Sequence, residues 1–237
     1  MKRKLRKEVQ LQPEDSRFYF GKGEKAACIL GPARELSVQQ RFVCASLVKK
    51  LRELEEKGAF VHDNEILVIP QPQEADGMLC PETQEYSYVI RFQEVEREGD
   101  SVPYIEISDS GFQNPSLANL FGYPYVMIRQ SAEPENREEC ADSGSRSVSA
   151  FCVYTGPADQ IDEDAARKAV AAILRFLTRM GVLRYTSHSG YLASVIREED
   201  LSTVRSDRSG LYRRRVHPGT EVHRGEVSPI CKSPRMT

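Results

Sequence analysis

Tyr86-Ser87-Tyr88-Val89-Ile90-Arg91-Phe92-Gln93 is the stretch whose reading decides the fold. Tyr86, Tyr88, Ile90 and Phe92 alternate with Ser87, Val89, Arg91 and Gln93. A period of two with one polar side is the pattern of a strand that buries a single face. Outward from it, Glu65–Ile69, Pro103–Ile107, Tyr125–Arg129 and Val148–Tyr154 are rich in β-branched and aromatic residues and read as further strands. Arg17–Phe20 and Ala26–Leu30, joined by Gly21-Lys22-Gly23, read as a hairpin.

Two helices frame these strands. The first begins at Ser37, with Gln40 placed to complete a capping box, and runs to Lys57 before Gly58. Phe42, Val43, Leu47, Leu51 and Leu54 recur at three- and four-residue spacing and make one face apolar. The second opens on Asp162, Glu163 and Asp164, carries Ala166, Val170, Ile173, Leu174 and Leu177, and closes with Arg175, Arg179 and Gly181. Acids at its start and cations at its end suit the helix dipole.

Between the helices the strand-like runs follow one another with at most a short helix near Ser116–Leu120. Parallel neighbours need long crossovers, so these runs predict an α+β fold. In that fold a mostly antiparallel sheet is covered on one face by the two amphipathic helices. The partition it implies is a basic arm over 1–14, one domain over 15–201, and a tail over 202–237. The tail is rich in Ser, Arg, Gly and Pro and is expected to be disordered.

Charge is sorted along the chain. Residues 1–7 carry +5 and residues 205–237 carry +5, whereas the whole chain is −2, which leaves −12 on residues 8–204. The apolar runs, such as Ile66-Leu67-Val68-Ile69, are far too short to cross a bilayer, and no apolar leader follows the basic start. The expectation is a protein of the nucleus and cytoplasm with no membrane contact. Lys2, Arg3, Lys4, Arg6 and Lys7, with Arg213, Arg214 and Arg215, are the candidates for binding nucleic acid or an import receptor. Contacts of that kind would be made to phosphates and would be insensitive to base sequence.

Other motifs are short. Asp142-Ser143-Gly144-Ser145-Arg146-Ser147 resembles the D-S-G-x-x-S phosphodegron, which implies modification at Ser143 and Ser147. Ser228-Pro229 and Ser233-Pro234 fit proline-directed kinases, and phosphates there would reduce the tail's positive charge. Gly21-Lys22-Gly23-Glu24-Lys25-Ala26 matches a dinucleotide fingerprint in letters alone, since Gly31-Pro32 halts the chain where a helix should begin. His217, His223 and Cys231 are spaced unlike structural zinc ligands. The six cysteines, at 28, 44, 80, 140, 152 and 231, contain no C-x-x-C and read as reduced, mostly core thiols.

His188, flanked by Ser187 and Ser189, invites a catalytic reading with a cysteine (Cys28, Cys80 or Cys152) or with Asp109. No G-x-S-x-G, H-E-x-x-H or phosphate-cradling loop accompanies it. These residues therefore predict a non-enzymatic regulatory or adaptor protein without cofactor, metal or catalytic residues. Its domain is expected to bind a protein partner, and its basic ends to mediate nuclear import or RNA binding. The alternatives are an enzyme using His188 and a structural subunit of a larger assembly.

Overall fold

A computed structural model describes residues 17–31, 37–71, 81–92, 102–109, 115–130, 149–157, 160–186, 190–202, 211–213, 218–223 and 230–232. In chain order the strands are β1 (Phe18–Gly21), β2 (Gly23–Leu30), β3 (Asp63–Ile69), β4 (Tyr88–Phe92), β5 (Tyr104–Ser108), β6 (Tyr125–Arg129), β7 (Ser149–Val153) and β8 (Ser194–Arg197). They form one sheet of eight in the order β1-β3-β2-β4-β7-β5-β6-β8. The helices among the described residues are α1 (Val38–Glu56), α2 (Pro115–Asn119) and α3 (Glu163–Arg179).

The sheet is mixed and largely parallel, not mostly antiparallel as the sequence predicts. β2 lies between β3 and β4, parallel to both, and β4 is parallel to β7. β5, β6 and β8 form a second parallel set that runs the opposite way, joined through the antiparallel β5–β7 pair. β1 does not pair with β2 in a hairpin. It lies antiparallel on the outer side of β3.

The physical reason for the difference is the nature of the crossovers. The β3–β4 connection includes a 3-10 turn at Pro81–Glu85. The parallel neighbours β4 and β7, and likewise β6 and β8, are joined by excursions that contain whole other elements. Among the described residues, the parallel pairs joined directly by a helix are β2 with β3, through α1, and β5 with β6, through the short α2. β4 also buries both Val89 and Ile90, as an interior strand must, so its alternation is only partial.

The helices form as their sequences dictate. Ser37 and Gln40 make the reciprocal capping box of α1, and the Asp162 side chain accepts from Ala165 N to cap α3. Val43, Leu47 and Leu51 of α1, Ala118 of α2, and Ile173, Phe176 and Leu177 of α3 share one core. That core also holds Ile29, Ile66, Ile90, Ile105, Val126 and Phe151 from one face of the sheet. Cys28, Leu30, Leu67, Ile69, Tyr86 and Val89 form a second cluster on the other face. No helix among the described residues is long and apolar enough to cross a membrane.

Two short segments of the tail are described as paired. β9 (Leu211–Arg213) pairs antiparallel with β10 (Ile230–Lys232), placing Cys231 opposite Tyr212. Residues 1–16, which hold the N-terminal cations, lie outside the described residues.

Candidate active site at the carboxyl edge of the parallel strands

β2, β3, β4 and β7 run the same way, so Leu30, Ile69, Phe92 and Val153 end on one edge of the sheet. From β2 the chain passes through α1 to β3 on one side. From β4 it passes to β5 and β7 on the other. Chains leaving adjacent strands in opposite directions open a crevice at their carboxyl ends, where ligands of open α/β sheets bind. The change of direction here falls between β2 and β4.

Arg91 sits there. It is half-buried at the end of β4, opposite Leu30 of β2 on one side and Cys152 of β7 on the other. By strand alternation its side chain shares the face of Val89, away from the helices. Cys152 in turn faces Glu106 of β5. Leu30, Arg91, Cys152 and Glu106 thus form one cross-strand row. Glu106 is nearly buried and pairs with Arg129, whose Nε lies 2.8 Å from the carboxylate Oε2. The Tyr104 ring stacks on Tyr154, with centroids 5.8 Å apart. Burial first, and then the Glu106 charge, push the Tyr104 phenol up to about 12. Arg129 opposes that rise.

The loop after β7 is fixed from beneath. Gln39, fully buried in the first turn of α1, donates from Nε2 to Thr155 O at 2.7 Å and to Asp162 O at 3.0 Å. Its Oε1 accepts from Asp162 N at 2.9 Å. Gly156 has φ +115°, and a Cβ there would meet Gln39 Nε2 at 2.6 Å. The Tyr123 hydroxyl donates to Tyr154 O at 2.8 Å. This edge is accordingly rigid where it meets β7 and α1. It carries the Arg91 guanidinium and the Tyr104 and Tyr154 rings. Such groups bind and orient a carboxylate, and Arg does so with a planar fork of donors.

Of the residues singled out from sequence, Cys152 belongs to the row of Arg91 and Glu106. Asp109 lies beside the last residue of β6, donating its N–H to Arg129 O, and its carboxylate is 3.8 Å from Arg197. Gly190 and Tyr191, the first described residues after His188, adjoin Gly122 just before β6 begins. His188, Cys80 and Cys140 lie outside the described residues. Cys28 and Cys44 are buried free thiols, and burial pushes Cys44 up to about 12. Cys152 is disulfide-bonded, which corrects its reading as a reduced core thiol. Arg213 belongs to β9. Lys2, Arg3, Lys4, Arg6, Lys7, Arg214, Arg215, Ser143, Ser147, Ser228, Ser233 and His217 lie outside the described residues. Among the described residues no three His, Cys, Asp or Glu side chains gather to hold a metal ion. Arg91, Gln39 and Glu106 were missed as site residues. The available signal was a cation or carboxylate set inside an otherwise apolar strand.

No protein-family model matches the chain, and no curated protein matches it in sequence. Solved structures do. A succinylglutamate desuccinylase/aspartoacylase from Rhodobacter sphaeroides superposes with a TM-score of 0.65 at 15% identity, covering 93% of this chain and 77% of that one. A succinylglutamate desuccinylase from Silicibacter gives 0.68 at 12% identity with the same coverage. The product-bound ectoine utilization protein EutE (DoeB) from Ruegeria pomeroyi gives 0.64 at 11%, again covering 93% and 77%. The chain shares their fold. These neighbours bear the names of bacterial enzymes, and that overturns three expectations together. A fold shared with structures so named does not support the expected non-enzymatic adaptor, its RNA-binding role or its place in the nucleus.

Proposed function

We propose that the chain is an enzyme that hydrolyses the amide bond of a small acylated amino acid, such as an N-succinyl or N-acetyl derivative. Hydrolysis adds water across that bond and releases a carboxylic acid and a free amine. The observation that carries the reading is the position of Arg91. It brings a half-buried cation to the change of direction between β2 and β4, in a fold shared with desuccinylase/aspartoacylase structures. In this reading Arg91 takes the substrate's carboxylate. Gln39 acts as a positioning residue by holding Thr155 and Asp162, and so the loop beyond β7.

The test is release of free amine from a panel of N-succinyl and N-acetyl amino acids, with and without added divalent cations. Turnover by the wild type, with KM raised about tenfold by Arg91→Gln, is the expected result, a loss near 1.4 kcal/mol of binding. Absence of turnover across the panel would contradict it.

A further inference from the structure

We infer that β8 is a pairing edge whose occupant is the β8 of a second copy of this chain, joined about a two-fold axis through Val195. Among the described residues β8 ends the sheet, beyond β6. Sheet edges of monomers are usually guarded by charges, bulges or a covering element. This edge instead carries apolar side chains. Eight large hydrophobic side chains are exposed among the described residues, and four of them stand on this short stretch: Tyr191 at 70%, Leu192 at 90%, Val195 at 45% and Leu201 at 52%. Scattered singly they would need no account, but four on one edge segment mark a contact surface.

The backbone decides where pairing can occur. Ser194 donates its N–H to Pro124 O, next to β6, so alternation turns the N–H and C=O of Val195 outward. The neighbouring N–H groups of the same alternation are already engaged. Asn119 Oδ1 accepts from Ala193 N at 2.9 Å, and Asp200 Oδ2 accepts from Arg197 N at 3.0 Å. An antiparallel copy can therefore exchange two hydrogen bonds, without displacing these, only where Val195 meets Val195. That register is its own mate under a two-fold rotation, as an isologous contact requires. It sets Ser194 against the partner's Ile196 and Ala193 against the partner's Arg197, so no like charges face each other along the strand. Leu192 then lies diagonal to the partner's Ile196. The four exposed side chains offer on the order of 400 Å² per copy, about half of the ~800 Å² per partner in a standard complex, so the dimer is weak.

Sedimentation velocity of the full chain, from about 5 to about 500 μM, tests it. The average mass is expected to rise from one chain toward two and to stop there. Leu192→Lys should weaken association at least about tenfold. Val195→Pro should do the same, since it removes the outward donor and leaves the ladder to β6 intact. Unchanged melting temperatures would show that both variants are folded. Under mild oxidation Val195→Cys should give a disulfide-linked dimer by peptide mapping, because a hydrogen-bonded pair brings its Cα atoms to about 5.5 Å, within disulfide reach. Tyr19→Cys, on the opposite edge strand β1, should not. A chain that stays monomeric throughout, association indifferent to both substitutions, growth beyond a dimer, or cross-linking of Val195→Cys no faster than of Tyr19→Cys would overturn the two-fold edge. None of these outcomes depends on turnover of an acylated amino acid, so the proposed hydrolase stands or falls separately.

Discussion

Gln39 and Thr155, far apart in the chain, are joined by a 2.7 Å hydrogen bond from the Gln39 amide to the Thr155 carbonyl. The same side chain brackets Asp162, accepting from its N–H and donating to its C=O. One buried amide thus ties the start of α1 to the loop that leads from β7 into α3. Gln39→Leu leaves one donor and two carbonyls without this partner in a dry site. The expected cost is about 3 kcal/mol, read from the urea midpoint. A shift equivalent to less than about 1 kcal/mol would show that the loop holds itself.

Phe176 is the hub of the helix-side core. Its ring stacks on Phe121 at 4.3 Å and meets Phe151 and Tyr88 at 5.2 Å each. Phe176→Ala should destabilise the fold by about 3–5 kcal/mol, the usual cost of emptying an aromatic core position. Denaturant unfolding checks it.

Thiol chemistry separates two enzyme readings. Cys28 and Cys44 are fully buried, and burial holds the Cys44 thiol neutral at physiological pH. Iodoacetamide on the native protein at neutral pH should leave both unmodified by mass spectrometry, and both should react after unfolding. Rapid native labelling of Cys28 would revive a cysteine nucleophile.

Alkaline pH should weaken the fold in a defined window. The Tyr104 phenol is raised from 10.0 to about 12, chiefly by burial and then by Glu106. The unfolded chain therefore releases this proton first. The stabilisation is complete below pH 10 and is lost as pH climbs toward 12. Tyr86 and Tyr123 shift the same way, mainly through burial. Melting temperature should fall steeply above pH 10, and Tyr104→Phe should lessen that fall. Equal alkaline slopes in the two proteins would contradict the assignment.

The helices were legible because their signals are local. Ser37 with Gln40 opens α1, and Asp162 opens α3, as their residues predict. The short α2 falls where Ser116–Leu120 suggested it. Strand pairing was not legible, since direction and order depend on contacts between distant segments. β4 showed a polar side at Arg91 that reads as solvent exposure, yet this strand lies between β2 and β7 in the sheet interior. β8 was missed altogether: Ser194-Val195-Ile196-Arg197 is short and largely exposed at the sheet edge. The charged ends drew attention because charge is visible in a string of letters. A lone arginine at a switch point is visible only once the strands are ordered.

Calorimetric titration of succinate and of N-succinylglutamate into the wild type and Arg91→Gln tests the account most directly. Saturable binding to the wild type, weakened about tenfold by the substitution, is the result it predicts. Failure of the wild type to bind either compound, or equal affinity in the two proteins, would contradict a carboxylate site at the carboxyl edge of β2 and β4.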